Sequence, residues 1–371
     1  MRVIIAAAGT AGHINPGLAI ANKIKKEEPK SQILFIGTDR GLENDLVPRA
    51  GYELKTINAY GLSKKISIDN FKKIIKTLKG YGEAKKIIKE FNPDIVIGTG
   101  GYICGATISS AHKLGIPTLL HESNAFPGRA VKAEAKKTDC ILVSFKDAIP
   151  RLSNAKKIVY TGTPIKIEKK NYSLDQVKKM KQEMNIDTLL PTILVFGGSQ
   201  GAQKINEAIV SIAKNKLNDN YQIVWATGQS QYENIKAEFL KNDLNIEYIK
   251  NMKIIPYIYN MDEVMNISDV IVSRSGAMTI TEISNLGKPS ILVPLPNVSN
   301  NHQLYNAKVL QNVGGAKIIL NDDLTGELLD KEIKDIIKNP QKMRDMGTCA
   351  SKIAVSDVEN KIYSEIKNLV K

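Results

Sequence analysis

Histidine, tryptophan and cysteine are scarce in this 371-residue chain, at four, one and three residues. Cys104, Cys140 and Cys349 lie far apart, and no CxxC pair occurs. That spacing argues against a disulfide framework or a structural zinc site and fits a reducing cytoplasm. Long apolar runs are also missing. Residues 95–112 carry no formal charge, but Gly98, Gly100, Gly101 and Gly105 interrupt them. A membrane-spanning helix needs about 20 mostly apolar residues, so membrane contact is expected to be peripheral. The N-terminus has one arginine, a short apolar run and then glycines, which reads as a first strand and not as a signal peptide. Neither GxGxxG nor GxxxxGK[ST] occurs, which weakens ordinary dinucleotide and P-loop readings. No DxD stands at a strand end, so no metal site is expected.

What is present is length, positive charge and alternation. A chain of this size exceeds one typical core, so two domains are expected. The net charge of +14 implies an anionic partner without specifying which. The runs RVIIAA, QILFIG, DIVIGT, PTLLHE and CILVS read as buried parallel strands, with amphipathic stretches between most of them. The alternation restarts with TILVFG, YQIVWAT, IEYIKN, DVIVSR, PSILVPL and AKIIL. Two doubly wound α/β units follow. The first is expected over 1–161, the second over 162–348, and the strandless tail 349–371 is expected to return to the first.

The restart extends to the loops. AGTAGHIN aligns with GGSQGAQKIN at one constant offset, pairing Gly9 with Gly198, Thr10 with Ser199 and Gly12 with Gly201. Glycine turns between a strand and a helix present backbone amides to anions. Only the first copy carries a histidine, His13, where the second has Ala202. The helix dipole disfavours the cationic ring there, which suits a base.

Other loops follow strands at the carboxyl edge, where open α/β sheets bind ligands. GTGGYICG (98–105) and HESNAFPG (121–128) share an edge with the His13 loop, so His13, His121 and Glu122 fall in predicted mouths. His302 falls in a third, within LPNVSNNHQLYNA (295–307), whose amides suit sugar hydroxyls. His112 is expected within a helix, in a structural role. In SRSGAMTITE (273–282), Gly276 opens a helix start, and Glu282 has two oxygens able to accept from a vicinal diol. A capping or solvent-facing Glu282 is the plainer alternative.

Together GTxGHxxPG, GGYxxG, HExN, GGSQGA, SRSGAxTxxE and HQxxNA resemble, in order, the motifs of the MurG family of glycosyltransferases. The resemblance reaches from the first strand to about residue 320. It implies the GT-B fold, two Rossmann-like domains facing a cleft, with the C-terminal helix returning to the N-domain. It implies inverting transfer of N-acetylglucosamine from UDP-N-acetylglucosamine to the lipid I acceptor, without a metal or other cofactor. By matching position, the resemblance assigns the donor Ser199, Ala277, Met278, Thr279, Ile280, Thr281 and Glu282, the last on the ribose. It also assigns Gln303 to the sugar and Ile258 to packing at the uracil. Thr10, Ala11, Gly12 and Asn124 would close over the sugar. His13 matches the proposed base, with Glu122 as alternative or orienting partner. Two positions depart from the pattern. Ala11 replaces a glycine, and Lys166 replaces an arginine that would contact the donor, losing its bidentate fork.

Two rival functions remain open from sequence: a UDP-N-acetylglucosamine 2-epimerase of the same architecture, and a basic nucleic-acid-binding protein. No aromatic sheet signature or helix-turn-helix supports the latter, so no nucleic acid is expected. The stretch 64–91 offers another use for the charge. Phe71, Ile74, Ile75 and Leu78 share one helical face, flanked by Lys72, Lys73, Lys76 and Lys79 and extended by Lys85, Lys86 and Lys89. It is expected to meet an anionic membrane surface, placing the protein peripherally on the cytoplasmic face.

Overall fold

A strand buried on both faces must be apolar at every position, and most of the runs above become such strands. The computed structural model describes residues 1–61, 68–198 and 201–371, and for 68–72 the backbone alone. Ser199, and residues 64–67 of the basic stretch, therefore lie outside the described residues. The chain folds as two units, 1–165 with 355–371, and 166–354.

The strands of the first unit are β1 (Arg2–Ala7), β2 (Gln32–Gly37), β3 (Glu53–Thr56), β4 (Ile95–Gly100), β5 (Thr118–Glu122), β6 (Cys140–Val143) and β7 (Ile158–Tyr160). They pair in parallel in the order β3-β2-β1-β4-β5-β6-β7. Its helices are α1 (Ala11–Glu27), α2 (Glu43–Arg49), α3 (Ile68–Phe91), α4 (Ile103–Lys113) and α5 (Arg129–Glu134). The second unit holds β8 (Thr192–Phe196), β9 (Gln222–Ala226), β10 (Met252–Ile255), β11 (Val270–Ser273), β12 (Ser290–Leu292) and β13 (Ala316–Ile318). Its parallel order is β10-β9-β8-β11-β12-β13. Its helices are α6 (Leu174–Glu183), α7 (Gln203–Lys214), α8 (Gln229–Leu240), α9 (Met261–Ile267), α10 (Ala277–Leu286), α11 (His302–Asn312), α12 (Gly326–Ile337) and α13 (Pro340–Ser351). The last helix, α14 (Val358–Val370), belongs to the first unit.

In the first sheet, alternate residues supply two cores. Ile4, Val96, Leu120 and Ile141 pack with Ala84 and Ile88 of α3 and Ile103 of α4. Val3, Ile5, Ile97 and Leu119 pack with Ile14, Ile20 and Ile24 of α1 and with Ile362 and Ile366 of α14. Glu28 fastens the returning helix: it accepts hydrogen bonds from Lys367 Nζ (2.7 Å) and Tyr363 Oη (2.9 Å) and pairs with the N-terminal amine (3.3 Å).

The unit boundaries fall at 165/166 and 354/355, against expectations of 161/162 and 348/349. Gly162 (φ +80°) sits where a Cβ would come 2.9 Å from Val355, which keeps the GTP turn with the first unit. Gly315 abuts Ala350, and Gly347 lies against the Gly287 carbonyl, which keeps α13 with the second. One strand falls elsewhere than expected. Within IEYIKN, Ile246–Tyr248 is a 3-10 turn whose Glu247 amide donates to the Asn245 side chain (3.0 Å). Asn251 then takes a left-handed turn (φ 58°), and the strand is the following MKII.

Candidate functional site

Both sheets reverse strand order once, at β1/β4 and at β8/β11, and crevices open at the strands' carboxyl ends there. In the first unit the turn after β1 carries Gly9 at φ +94°, a conformation that L side chains rarely adopt. Its counterpart Gly198 has φ +87°, so the aligned loops share this bend. The helices then differ: α1 starts at Ala11, whereas α7 starts only at Gln203. Thr10 is the exposed N-cap of α1, and its carbonyl accepts from the amides of His13 (3.0 Å) and Ile14 (3.2 Å). Ala11 and Gly12 head a first turn that contains no acid, so its donor end faces outward without a carboxylate of its own.

His13 lies in that first turn. Its Nδ1 stands 3.1 Å from the Ala8 carbonyl oxygen, which can only accept. Nδ1 therefore carries the proton, and in the neutral ring the lone pair is on Nε2. The glycine pair of GTGGY makes room for the ring: a Cβ at Gly100 (φ +126°) would come 2.4 Å from His13 Cδ2. The loop is also held from behind. Glu43, fully buried, accepts from the Gly9 amide (2.9 Å), the Thr38 amide (2.9 Å) and Thr38 Oγ1 (2.7 Å). Burial raises the pKa of this carboxyl, but the bonds from Thr38 and Gly9 outweigh burial, and the net shift is downward. Sequence reasoning passed over Glu43. Its signal was the pair Gly37 and Gly41, at both of which a Cβ would strike the Glu43 side chain.

Glu122 is buried and organises its own loop. Oε1 accepts from the Asn124 amide (2.8 Å) and Asn124 Nδ2 (3.1 Å), and Oε2 from the Gly128 amide (2.7 Å), the N-cap of α5. Burial raises its pKa, against those bonds. This geometry suits an orienting part for Glu122 rather than a mobile base. His121, expected in a mouth, is a core residue instead. It is fully buried between the Gly162 carbonyl (3.1 Å) and Ser123 Oγ (3.4 Å), and burial lowers its pKa to about 4. His112 is exposed in the last turn of α4.

In the second unit, Gly276 is the N-cap of α10, and Ala277, Met278 and Thr279 form a first turn without acid. Ile280 departs from its assigned role: its side chain is fully buried and its amide donates to the Gly276 carbonyl (3.0 Å). The Thr281 hydroxyl donates to the Ala277 carbonyl (2.9 Å). Glu282 lies one turn further, half-buried, with no hydrogen-bond or ion-pair partner among the described residues. Desolvation alone raises its pKa to about 7. A crowded carboxyl without donors is costly unless a ligand supplies them.

The loop after β12 faces the same edge. Asn297, Asn300 and Asn301 all have left-handed φ (60°, 56° and 50°), a concentration of costly backbone typical of binding loops. Gln303 Oε1 accepts from the Leu295 amide (3.0 Å), and the Gln303 carbonyl accepts from the buried Ser275 hydroxyl (2.8 Å). Asn306 Nδ2 donates to the Ser275 carbonyl (3.2 Å), joining α11 to the α10 entrance. His302 Nδ1 lies 2.9 Å from the Ser299 carbonyl. Arg274, which sequence reasoning also passed over, reaches the Val293 carbonyl (3.1 Å) and Asn321 Oδ1 (2.9 Å), and among the described residues it has no carboxylate partner and a buried, unpartnered Nε. It adds positive potential beside the α10 start. Ile258 is 3% exposed, so its side chain presents almost no surface to a base, in contrast to the expectation of packing there. The exposed rings of Tyr257 and Tyr259 flank it, 5.0 Å apart edge to face. Lys166 is exposed at the start of the second unit.

The two units have counterparts in known proteins. Residues 3–143 match the glycosyltransferase family 28 N-terminal domain, and residues 192–362 match its C-terminal domain. The chain belongs to glycosyltransferase family 28. A relative from Acetivibrio thermocellus is 41% identical over 100% of this chain and 99% of its own. One from Thermoanaerobacter sp. (strain X514) is 44% identical over the whole of both chains. Both are named UDP-N-acetylglucosamine--N-acetylmuramyl-(pentapeptide) pyrophosphoryl-undecaprenol N-acetylglucosamine transferase. The crystal structure of Acinetobacter baumannii MurG superposes with a TM-score of 0.78 at 28% identity, covering 99% of each chain. The fold of this family 28 enzyme is GT-B, built from two Rossmann-like domains. A UDP-GlcNAc 2-epimerase from Neisseria meningitidis shares that fold (TM-score 0.65) at 14% identity.

Proposed function

We propose that this family 28 enzyme transfers N-acetylglucosamine from UDP-N-acetylglucosamine to a pyrophosphoryl-undecaprenol-linked N-acetylmuramyl pentapeptide, lipid I. The observation that carries the reading is full-length identity of 41–44% to relatives named for this reaction. The epimerase alternative shares only the fold, at 14% identity.

The residues support a division of labour. Glu282 takes the ribose diol, whose two hydroxyls supply the donors its carboxylate lacks. The α10 amides at Ala277, Met278 and Thr279, with Arg274 behind them, stabilise the departing diphosphate. Gln303 is held by Leu295 with its amide nitrogen left to read the sugar. His13 Nε2 removes the proton of the attacking acceptor hydroxyl, and the glycosidic bond to UDP breaks as the new one forms with inversion. Glu122 fixes the 123–128 loop that carries Asn124.

Membrane contact is assigned to a narrower stretch than 64–91. No helix among the described residues is long and apolar enough to cross a membrane. From Gly80 onward α3 faces the core, where Ala84 and Ile88 are buried. Ile74, Ile75 and Leu78, one turn earlier, are 37%, 53% and 65% exposed and lie among lysines. The side chains of Phe71 and Lys72 lie outside the described residues. This half of α3 supports peripheral attachment to an anionic leaflet on the cytoplasmic side. The deciding experiment for the activity is transfer of labelled N-acetylglucosamine from the UDP donor to a lipid I analogue. No labelled lipid product, or release of free epimerised sugar nucleotide, would refute the assignment.

A further inference from the structure

The acceptor in this reading has three chemical parts: a sugar hydroxyl, a pyrophosphate and a polyprenyl chain. The first unit presents three matching surfaces in sequence. His13 and its loop form one. The exposed Ile75 and Leu78 of α3 form another. Between them stands a cluster of cations on one aromatic ring. The guanidinium of Arg40 lies 3.9 Å from the centroid of Tyr60, and Lys76 Nζ lies 5.6 Å from the same centroid.

The cluster is short of acid. Among the described residues Lys76 has no ion-pair partner, and Arg40 pairs with no carboxylate but that of its chain neighbour Asp39, at 3.6 Å, whose side chain is 72% exposed. It is also rigidly mounted. Arg40 Nη2 donates to the Ala59 carbonyl (2.7 Å), and the Tyr60 amide donates to Thr77 Oγ1 of α3 (3.3 Å). Glu83 clasps Asn58 through its amide (2.7 Å) and Nδ2 (2.9 Å). At Gly80 a Cβ would fall 1.8 Å from the Asn58 carbonyl oxygen, so the segment bearing Tyr60 lies flat on the helix bearing Lys76.

The same cluster is tied to the histidine loop. Leu42, two residues after Arg40, donates its amide to the Gly9 carbonyl (3.3 Å), and Glu43 holds the Gly9 amide. On the other side, Tyr102 follows the glycines that berth His13 and is among the groups that favour the charged form of Arg40. A cationic pair that is preorganised, poor in acid and set between a base and an apolar helix face fits a doubly charged linker.

We propose that Arg40 and Lys76, held by Tyr60, bind the pyrophosphate of the polyprenyl-linked acceptor. The proposal rests on the transferase reading above and adds the place where the acceptor's charge is recognised. Arg40 supplies a planar fork of donors and Lys76 a point charge. Together they orient the sugar end toward His13 and the chain toward α3.

The test uses the full-length protein and a soluble acceptor with a short prenyl-pyrophosphoryl chain, without membranes. Arg40→Gln and Lys76→Gln should each raise the acceptor KM about 10-fold, the usual scale for a charge-assisted hydrogen bond. Turnover and the donor KM should stay within about twofold of wild type, because neither side chain touches the reacting atoms. Arg40→Lys keeps the charge and should recover part of the loss. In calorimetry, farnesyl pyrophosphate should bind wild type and lose affinity by a similar factor in both Gln variants, while farnesol should not discriminate among them. An unchanged acceptor KM would overturn the proposal, as would a fall in turnover alone, which would mean that Arg40 merely braces the loop. An effect seen only with acceptor embedded in anionic vesicles would assign the cations to lipid headgroups instead. Failure of wild type to transfer sugar at all would sink the transferase reading, and the farnesyl pyrophosphate titration would still decide the subsite.

Discussion

Protonation of Glu282 should control donor affinity. Its carboxyl, with a pKa of about 7 in the unliganded protein, is half protonated at neutral pH. A ribose diol donates two hydrogen bonds and so requires the carboxylate. Affinity should then track the ionised fraction, about 10% at pH 6 and about 90% at pH 8, so binding should tighten about 10-fold over that range. UDP-N-acetylglucosamine is the ligand to use, because its diphosphate is a diester and does not titrate there. Calorimetry at pH 7 in buffers of different ionisation enthalpy should register about half a proton released per donor bound. Glu282→Gln should bind more weakly at pH 8 by about 1.5–3 kcal/mol and lose the pH dependence. The same group makes a stability prediction of opposite sign. Its folded pKa is raised from 4.5 to about 7, so the unfolded chain holds fewer protons across that window and stability falls as pH rises through it. The full shift corresponds to about 3 kcal/mol, which solvent contact at this half-buried side chain reduces to about 1–2 kcal/mol. Glu282→Gln should therefore unfold at higher temperature than wild type at pH 8, although it binds donor less well. Donor affinity that is flat with pH, or the same slope in the Gln variant, would remove Glu282 from the ribose.

Four further outcomes follow from the site. His13→Ala should cut turnover about 10²–10⁴-fold with donor affinity intact, and near-native turnover at saturation would exclude it as the base. Gly100→Ala forces a Cβ into the His13 ring at φ +126°, so thermal unfolding should show a loss of about 1–3 kcal/mol together with reduced turnover; a neutral variant would mean that the berth is soft. Lys73→Gln and Lys79→Gln combined should weaken flotation with anionic vesicles by about 1 kcal/mol for each residue near the surface, most at low salt. Unchanged flotation would move the membrane contact off α3. Transfer should persist in EDTA, and activity lost to the chelator but restored by magnesium would overturn the metal-free scheme.

The sequence by itself determined the elements that bury themselves. A parallel strand covered on both faces must be a continuous apolar run, so β1, β2, β4, β5 and β8 announced themselves, and the glycine turns marked their carboxyl ends. The edge strands β3 and β7 have little such signal, because an edge needs only one neighbour and one covered face, and ELKT is half-exposed. IEYIKN looked like a strand from composition, but side-chain capping at Asn245 and the left-handed Asn251 moved the pairing to MKII. The candidate site was legible where motifs mark it locally, at the glycine turn bearing His13 and at the α10 entrance with Glu282 one turn on. Tertiary structure alone decided the rest, because those contacts join residues far apart in the chain. Glu43 reaches back across 34 positions to hold Gly9, Gly100 makes room for an imidazole, and Arg40 and Lys76 meet on Tyr60. His121, promising in the sequence, is sealed in the core beneath Gly162. Local pattern specifies which surface a residue must hide, whereas the partner it finds depends on chain folding that no short window contains.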